Sequence, residues 1–169
     1  MKRKIACLLL AGAITVNIAA VSTAAHAAAF TDVPDDAWYS QAVDYAVSHG
    51  MFSGTGADTF SPSTPMTRGM IVVVLSNVAK ADVSSAKYAS FSDVQPSDWY
   101  ADAIDWAYEQ GYVSGTGANT FSPNSVVTRA QIAVSLSNYL HSSKAALEDD
   151  GNSAAFNDIA AIPSWALEG

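Results

Sequence analysis

The sequence predicts a mainly α-helical protein built from repeated helix–turn–helix units with glycine-rich turns. Three observations predict it. First, Phe30-Thr31-Asp32-Val33 returns 61 residues later as Phe91-Ser92-Asp93-Val94. The same offset carries Trp38-Tyr39 to Trp99-Tyr100, Ser53-Gly54-Thr55-Gly56-Ala57 to Ser114-Gly115-Thr116-Gly117-Ala118, and Thr67-Arg68 to Thr128-Arg129, without a gap between 30 and 79. Second, apolar residues fall three and four apart on both sides of the Gly-rich block, the spacing of a helix face. Third, each second apolar run opens on a threonine, a helix-start signal.

In chain order, the first element is an address. Met1 is followed by Lys2, Arg3 and Lys4, an apolar run from Ile5 to Val21, and Ala25-His26-Ala27. A basic start, an apolar stretch and a small-x-small site form the signature of a secretory signal peptide, residues 1–27. An uncleaved anchor fits less well, because the run is short and broken by Thr15 and Asn17. Cys7 lies at the start of the run rather than after it, so it is not a lipid-attachment site and leaves with the signal. No later run is long and apolar enough to span a membrane. The mature chain is expected outside the cytoplasmic membrane, free or wall-bound.

Residues 28–80 make the first repeat. Asp35 or Asp36 is expected to cap a helix with Trp38, Ala42, Tyr45 and Ala46 on its apolar face, ended by Gly50. In the second repeat, 91–140, the matching positions are Trp99, Ala103, Trp106 and Ala107, with Ser97 or Asp98 as cap and Gly111 as the stop. The Gly-Thr-Gly-Ala-(Asp/Asn)-Thr-Phe-Ser-Pro block reads as a turn, with glycines expected at positive φ and a proline that blocks helix continuation. A second helix starts at Thr67 or Thr128 and carries Ile71, Val74, Leu75 and Val78, or Ile132, Leu136 and Tyr139. The β-branched run Val72–Val74 makes a strand the rival assignment, but Ile-Ala-Val-Ser-Leu at 132–136 favours helix. Segments 81–90 and 141–155 read as linkers. A third copy begins at Phe156-Asn157-Asp158-Ile159, reaches Trp165 one residue later than the spacing predicts, and stops at Gly169 without its second half. Residues 156–169 are therefore the start of a truncated third repeat.

Composition narrows the function. The 169 residues carry 8 basic and 16 acidic side chains, a net charge of −8 that becomes −11 once the three basic residues of the signal leave. No basic footprint exists for nucleic acid or an anionic membrane surface. A single cysteine excludes a disulfide framework within the chain.

The Thr-Arg helix starts are the most informative candidates. Thr128 accepts from the N3 amide and Gln131 can complete a capping box; Met70 stands at that place in the first repeat, leaving Thr67 alone. Arg68 and Arg129, the only arginines after signal removal, put a cation where it opposes the helix dipole, at a cost of about 0.3–1 kcal/mol. Two readings stay open. Each arginine pairs with a carboxylate, such as the Asp of the Phe-x-Asp-Val block, and pins one repeat to the next. Or each arginine, with exposed first-turn amides, makes an anion site.

Other chemistry is thin. Trp38, Trp99 and Trp165 could stack on sugars, although their spacing with alanines favours core packing. Asp32, Asp35 and Asp36 lack a spaced loop of oxygen ligands for calcium. Gly54-Thr55-Gly56 lacks the lysine and the preceding strand of a phosphate loop. His49 and His141 are the only mature histidines, and no Gly-x-Ser-x-Gly elbow occurs. Neither an enzyme, a metal site nor a cofactor is expected.

Taken in order and twice over, Phe-x-Asp-Val, Trp-Tyr, the Gly-rich turn into Thr-Phe-Ser-Pro, and Thr-Arg resemble the S-layer homology domain repeat across nearly all of 30–79 and 91–140. The resemblance implies helical repeats arranged as a three-lobed pseudo-trimer, here with an incomplete third lobe. It also implies noncovalent anchoring of an exported protein to secondary cell-wall polysaccharide, often pyruvylated, at the bacterial cell surface. The family's Thr-Arg-Ala-Glu motif falls on Thr67-Arg68-Gly69-Met70 and Thr128-Arg129-Ala130-Gln131, so its glutamate is absent twice. Polysaccharide contacts are thereby expected from Arg68, Arg129, Thr67 and Thr128, with Trp38 and Trp99 as sugar-stacking candidates. At most two anion sites are expected, on a fold with uncovered apolar surface. The alternative is an interaction module that self-associates or assembles with another chain completing the third repeat. The sequence also leaves open a longer protein, with an enzyme or S-layer body beyond residue 169.

Overall fold

The computed structural model describes residues 30–86, 91–143 and 157–166. Its helices are α1 (Ser40–Ser48), α2 (Arg68–Ala79), α3 (Ala101–Glu109) and α4 (Arg129–Ser142), with 3₁₀ turns at Val83–Ser85, Ile159–Ala161 and Ser164–Ala166. Among the described residues no strand occurs, only isolated bridges between Thr67 and Val126 and between Gly117 and Thr120. The signal peptide, Cys7, Phe156 and the linker residues 87–90 and 144–155 lie outside the described residues.

The helix ends follow local chemistry. At the end of α1, Gly50 takes φ +68° and donates to Val47, while the Met51 amide reaches back to Ala46. Gly111, at φ +75°, and Tyr112 repeat both bonds at the end of α3. This is the Schellman ending, and it agrees with the expected stops. The starts of α1 and α3 differ from expectation. Their N-caps are Tyr39 and Tyr100, with no side-chain cap bond. The preceding backbone turns already occupy the amides, Ser40 donating to Ala37 and Ala101 to Asp98. Asp98 spends its carboxylate on the Gln95 amide at 2.8 Å, and Asp35 offers only its carbonyl to the Ser40 hydroxyl at 3.0 Å.

Thr67 and Thr128 do cap α2 and α4, accepting from the amides of Met70 and Gln131. The Gln131 side chain returns the bond to Thr128, completing a capping box in the second repeat alone.

The turn block is tied down by the aspartate of the Phe-x-Asp-Val motif. Asp32 accepts from the amides of Phe60 and Ser61 at 2.8 and 2.7 Å; Asp93 accepts from Phe121 and Ser122 at 2.9 and 2.7 Å. These bonds are the motif's structural reason. The amide bond from Phe60 holds the Asp32 carboxyl below its usual value. At Asp93 burial pushes the carboxyl up, but the amides of Phe121 and Ser122, aided by Arg68, outweigh it and hold it low. The positive-φ residues of the block are Ser61 and Ser122, not its glycines. Gly54 and Gly115 are needed for close approach: a Cβ would stand 2.5 Å from the Thr59 carbonyl at Gly54, and 2.8 Å from the Thr120 carbonyl at Gly115.

The core lies across the junction between repeats. Val72 and Leu75 of α2 meet Tyr100, Ala103, Ile104 and Ala107 of α3, with Tyr112 and Phe121 completing the cluster. The expected faces are corrected accordingly. Trp38 is 93% exposed and Trp99 64%, so neither tryptophan is core. On α1 the buried residue is Val43, while Ala42 and Tyr45 are exposed. On α2 the buried set is Arg68, Gly69, Val72, Leu75 and Ser76, and Val78 faces outward. The physical reason is that α2 covers the Ala103–Ile104–Ala107 side of α3, leaving the tryptophan at its start in solvent. Residues 83–85, read as linker, pack as a 3₁₀ turn against α3, capped by Asp82. The third-copy segment packs on α4 through its 164–166 turn.

Candidate binding grooves

Two equivalent grooves follow from the repeat. In each, the wall on one side is the Gly-rich turn, the floor is the second helix, and the far wall is the tryptophan of the next repeat. The first groove, about 460 Å³, has Phe52, Met70, Val74 and Asn77 on its inner surfaces and Trp99 at the rim. The second, about 410 Å³, has Val113, Gln131, Ser135 and Asn138 at the matching places, and Trp165 where Trp99 stands. Substitution at matching positions sets the chemistry: Met70 becomes Gln131 and Val74 becomes Ser135, so the second groove is polar where the first is apolar. Asn77 and Asn138 donate to the carbonyls of Met51 and Tyr112 at 3.2 and 3.4 Å, tying each second helix to the end of the first. Sequence reasoning missed both asparagines, although their identity at the 61-residue offset was the available signal.

The second groove also contains Arg68. Its guanidinium donates from Nε to the Phe121 carbonyl at 2.9 Å and from Nη2 to the Ser114 carbonyl at 2.7 Å, and lies 4.4 Å from the centre of the Phe121 ring. Burial lowers its proton affinity below that of a free arginine, and the Asp93 carboxylate works in the opposite sense. It remains a cation at any physiological pH. Phe121 and Ser114 belong to the second repeat, so Arg68 pins one repeat to the next, mainly through carbonyl oxygens rather than a carboxylate.

The first-turn amides of α2 are not open. Arg68 donates its amide to Ser125 at 2.9 Å, Gly69 donates to Pro123 at 2.8 Å, and Thr67 takes the amide of Met70. An anion site on these amides is therefore closed by the second repeat itself. At α4 the situation reverses. Arg129 is exposed, and neither its side chain nor the amides of Arg129 and Ala130 have a hydrogen-bond partner among the described residues. Trp99 walls the first groove; Trp38 walls neither and stands edge-on to Tyr39 at 5.5 Å. Among the described residues no group of three or more His, Cys, Asp or Glu side chains could hold a metal ion. No described helix is long and apolar enough to cross a membrane.

These features define a class: a helical-repeat module whose grooves lie between one repeat and the aromatic entry of the next. The S-layer homology domain profile matches residues 29–69 and 90–133. The chain belongs to the S-layer homology domain family. It is 31% identical over 106 residues to a cell surface protein of Thermoanaerobacter kivui, covering 60% of this chain and 14% of that protein. It is 30% identical over 128 residues to an S-layer protein of Bacillus thuringiensis subsp. finitimus, covering 74% and 15%. An endoglucanase of Bacillus sp. (strain KSM-635) is 30% identical over 142 residues, covering 82% and 14%. The chain thus spans about a seventh of the length of these relatives. The matched domain is an anchoring domain, not a catalytic one.

Proposed function

We propose that the chain anchors an exported protein to the bacterial envelope by binding secondary cell-wall polysaccharide noncovalently, and that the preferred glycan is anionic and pyruvylated. Family membership makes it a cell-surface protein associated with the wall. The observation that carries the binding reading is the second groove: a cation in its wall, amide and hydroxyl side chains on α4, and an indole at the rim, 56% exposed. Arg68 supplies charge, Gln131, Ser135 and Asn138 supply hydrogen bonds, and Trp165 offers its face to a sugar ring. Arg129 and Thr128 at the open start of α4 make a second cationic position, and Trp99 serves the apolar first groove. The domain plan (signal 1–27, repeats 28–80 and 91–140, linkers 81–90 and 141–155, partial repeat 156–169) and a three-lobed arrangement complete the reading. Because the chain carries −8 overall, affinity must be local and salt-sensitive.

The test is co-sedimentation with purified wall sacculi. Trp165→Ala and Ser135→Ala, neither of which touches the capping box, should each reduce the bound fraction several-fold while leaving the fold intact by circular dichroism. Sacculi stripped of pyruvate should bind less. Equal binding by wild type, both variants and stripped walls would sink the proposal.

A further inference from the structure

We propose that two copies of this chain associate head to tail, the start of α4 in one copy docking on α1 and the Gly-rich turn of the first repeat in the other. The contact is a second use of the seam already closed inside the chain, and it does not depend on glycan binding.

The internal seam has two unlike halves. One is the α2 face with Arg68, Val72 and Leu75; the other is α3 with the carbonyls of Ser114 and Phe121. The chain carries each half once more, less covered than in the seam, although Val43, which matches Ile104, is buried within its own repeat. On α4, Leu136 is 40% exposed where Leu75 is 2%, and Arg129 is exposed where Arg68 is buried. Ala133, matching Val72, is exposed as well. On the first repeat, Ala42 is exposed where Ala103 is buried, and Phe60 is half-buried where Phe121 is fully buried. An incoming Arg129 would find the carbonyls of Ser53 and Phe60, and the Phe60 ring, in the places where Arg68 finds those of Ser114 and Phe121. Unlike halves give a heterologous contact, which extends into a ring or a chain of copies.

Two features set its strength. Gly69 lets the Tyr100 ring come so near that a Cβ there would stand 2.9 Å from it. Ala130 carries that Cβ, so the Tyr39 ring must shift and the second contact is looser than the first. The segment 157–166 already takes part of the seat, Trp165 filling the place that Trp99 takes in the first groove. Eight of its ten residues are exposed, so it buries little and yields to a whole repeat.

Ala42 and Ala133 are exposed, so cysteines there report the contact without disturbing the core. In a Cys7→Ser background, Ala42→Cys chains mixed with Ala133→Cys chains should give a disulfide-linked pair under mild oxidation. Each alone should give several-fold less. Adding Arg129→Ala to the Ala133→Cys chain should lower the yield several-fold, and adding Ala130→Gly or Trp165→Ala should raise it. Light scattering of the unsubstituted chain should show mass rising with concentration. A constant monomer mass, or cross-linking by Ala133→Cys alone as efficient as in the mixture, overturns the proposal. So does a yield that Arg129→Ala leaves unchanged.

Discussion

Replacing Arg68 by alanine should cost about 3–5 kcal/mol of folding stability, while the same change at Arg129 should cost less than about 0.5. The two arginines share a motif and a register, so the contrast isolates environment. Arg68 makes hydrogen bonds of 2.9 and 2.7 Å to two carbonyls and sits 4.4 Å over a buried phenyl ring. Bonds with a charged donor are worth about 1.5–3 kcal/mol each, and the ring contact about 0.5–2. The Ser114 residue is exposed, so water replaces that bond and its share sits at the low end; Phe121 is fully buried, and its carbonyl would lose its donor. Arg68→Met, which keeps the apolar stem, should recover little, because the acceptors stay behind. Urea unfolding at pH 7 followed by tryptophan fluorescence measures all three variants, with m-values confirming two-state comparison. If Arg68→Ala and Arg129→Ala shift the midpoint equally, or Arg68→Met matches wild type, the assignment of Arg68 as the tie between repeats is wrong.

The two clamp aspartates set an acid limit. Both have carboxyls held below the ordinary 3.8, so their contribution is present above that value and is lost as pH falls below it and through the lowered folded values. Urea midpoints from pH 6 downward should fall, and Asp32→Asn with Asp93→Asn should start lower and flatten the decline. Gly54→Ala should destabilise by about 1–3 kcal/mol, since its Cβ would meet backbone at 2.5 Å; a thermal melt shifted by less than for an exposed control would refute this. Thr128→Ala, which removes a capping box, should cost about 0.5–2 kcal/mol and helical signal by circular dichroism. An unchanged melt would count against the cap.

What was legible in the sequence was local chemistry. Gly50 and Gly111 stop helices, Thr67 and Thr128 start them, and Gln131 completes a box because each needs only neighbours within a turn. Which side of a helix is covered depends on a partner far along the chain. The spacing of Trp38 with Ala42 and Tyr45 marks an apolar face equally well whether or not α2 lies over it. Arg68 was legible as a tie between repeats or an anion site, but not in its partners, since these are backbone carbonyls and no residue letter announces a carbonyl. The turn glycines were read for conformational freedom and serve instead to let chain segments approach.

The position of the core has a consequence for how such chains are cut and recombined. The unit that was copied runs from Phe30 to Ala79, but the packed unit takes its helix from one copy and its partner helix and turn from the next. Duplication and cooperativity are therefore out of phase. A graft that respects the sequence boundary severs Val72 and Leu75 from Ile104 and Phe121, exposing both sides. A graft cut in the α1–α2 loop, ahead of Thr67, would carry a whole cooperative block with it. Gain or loss of modules by recombination should favour that second frame.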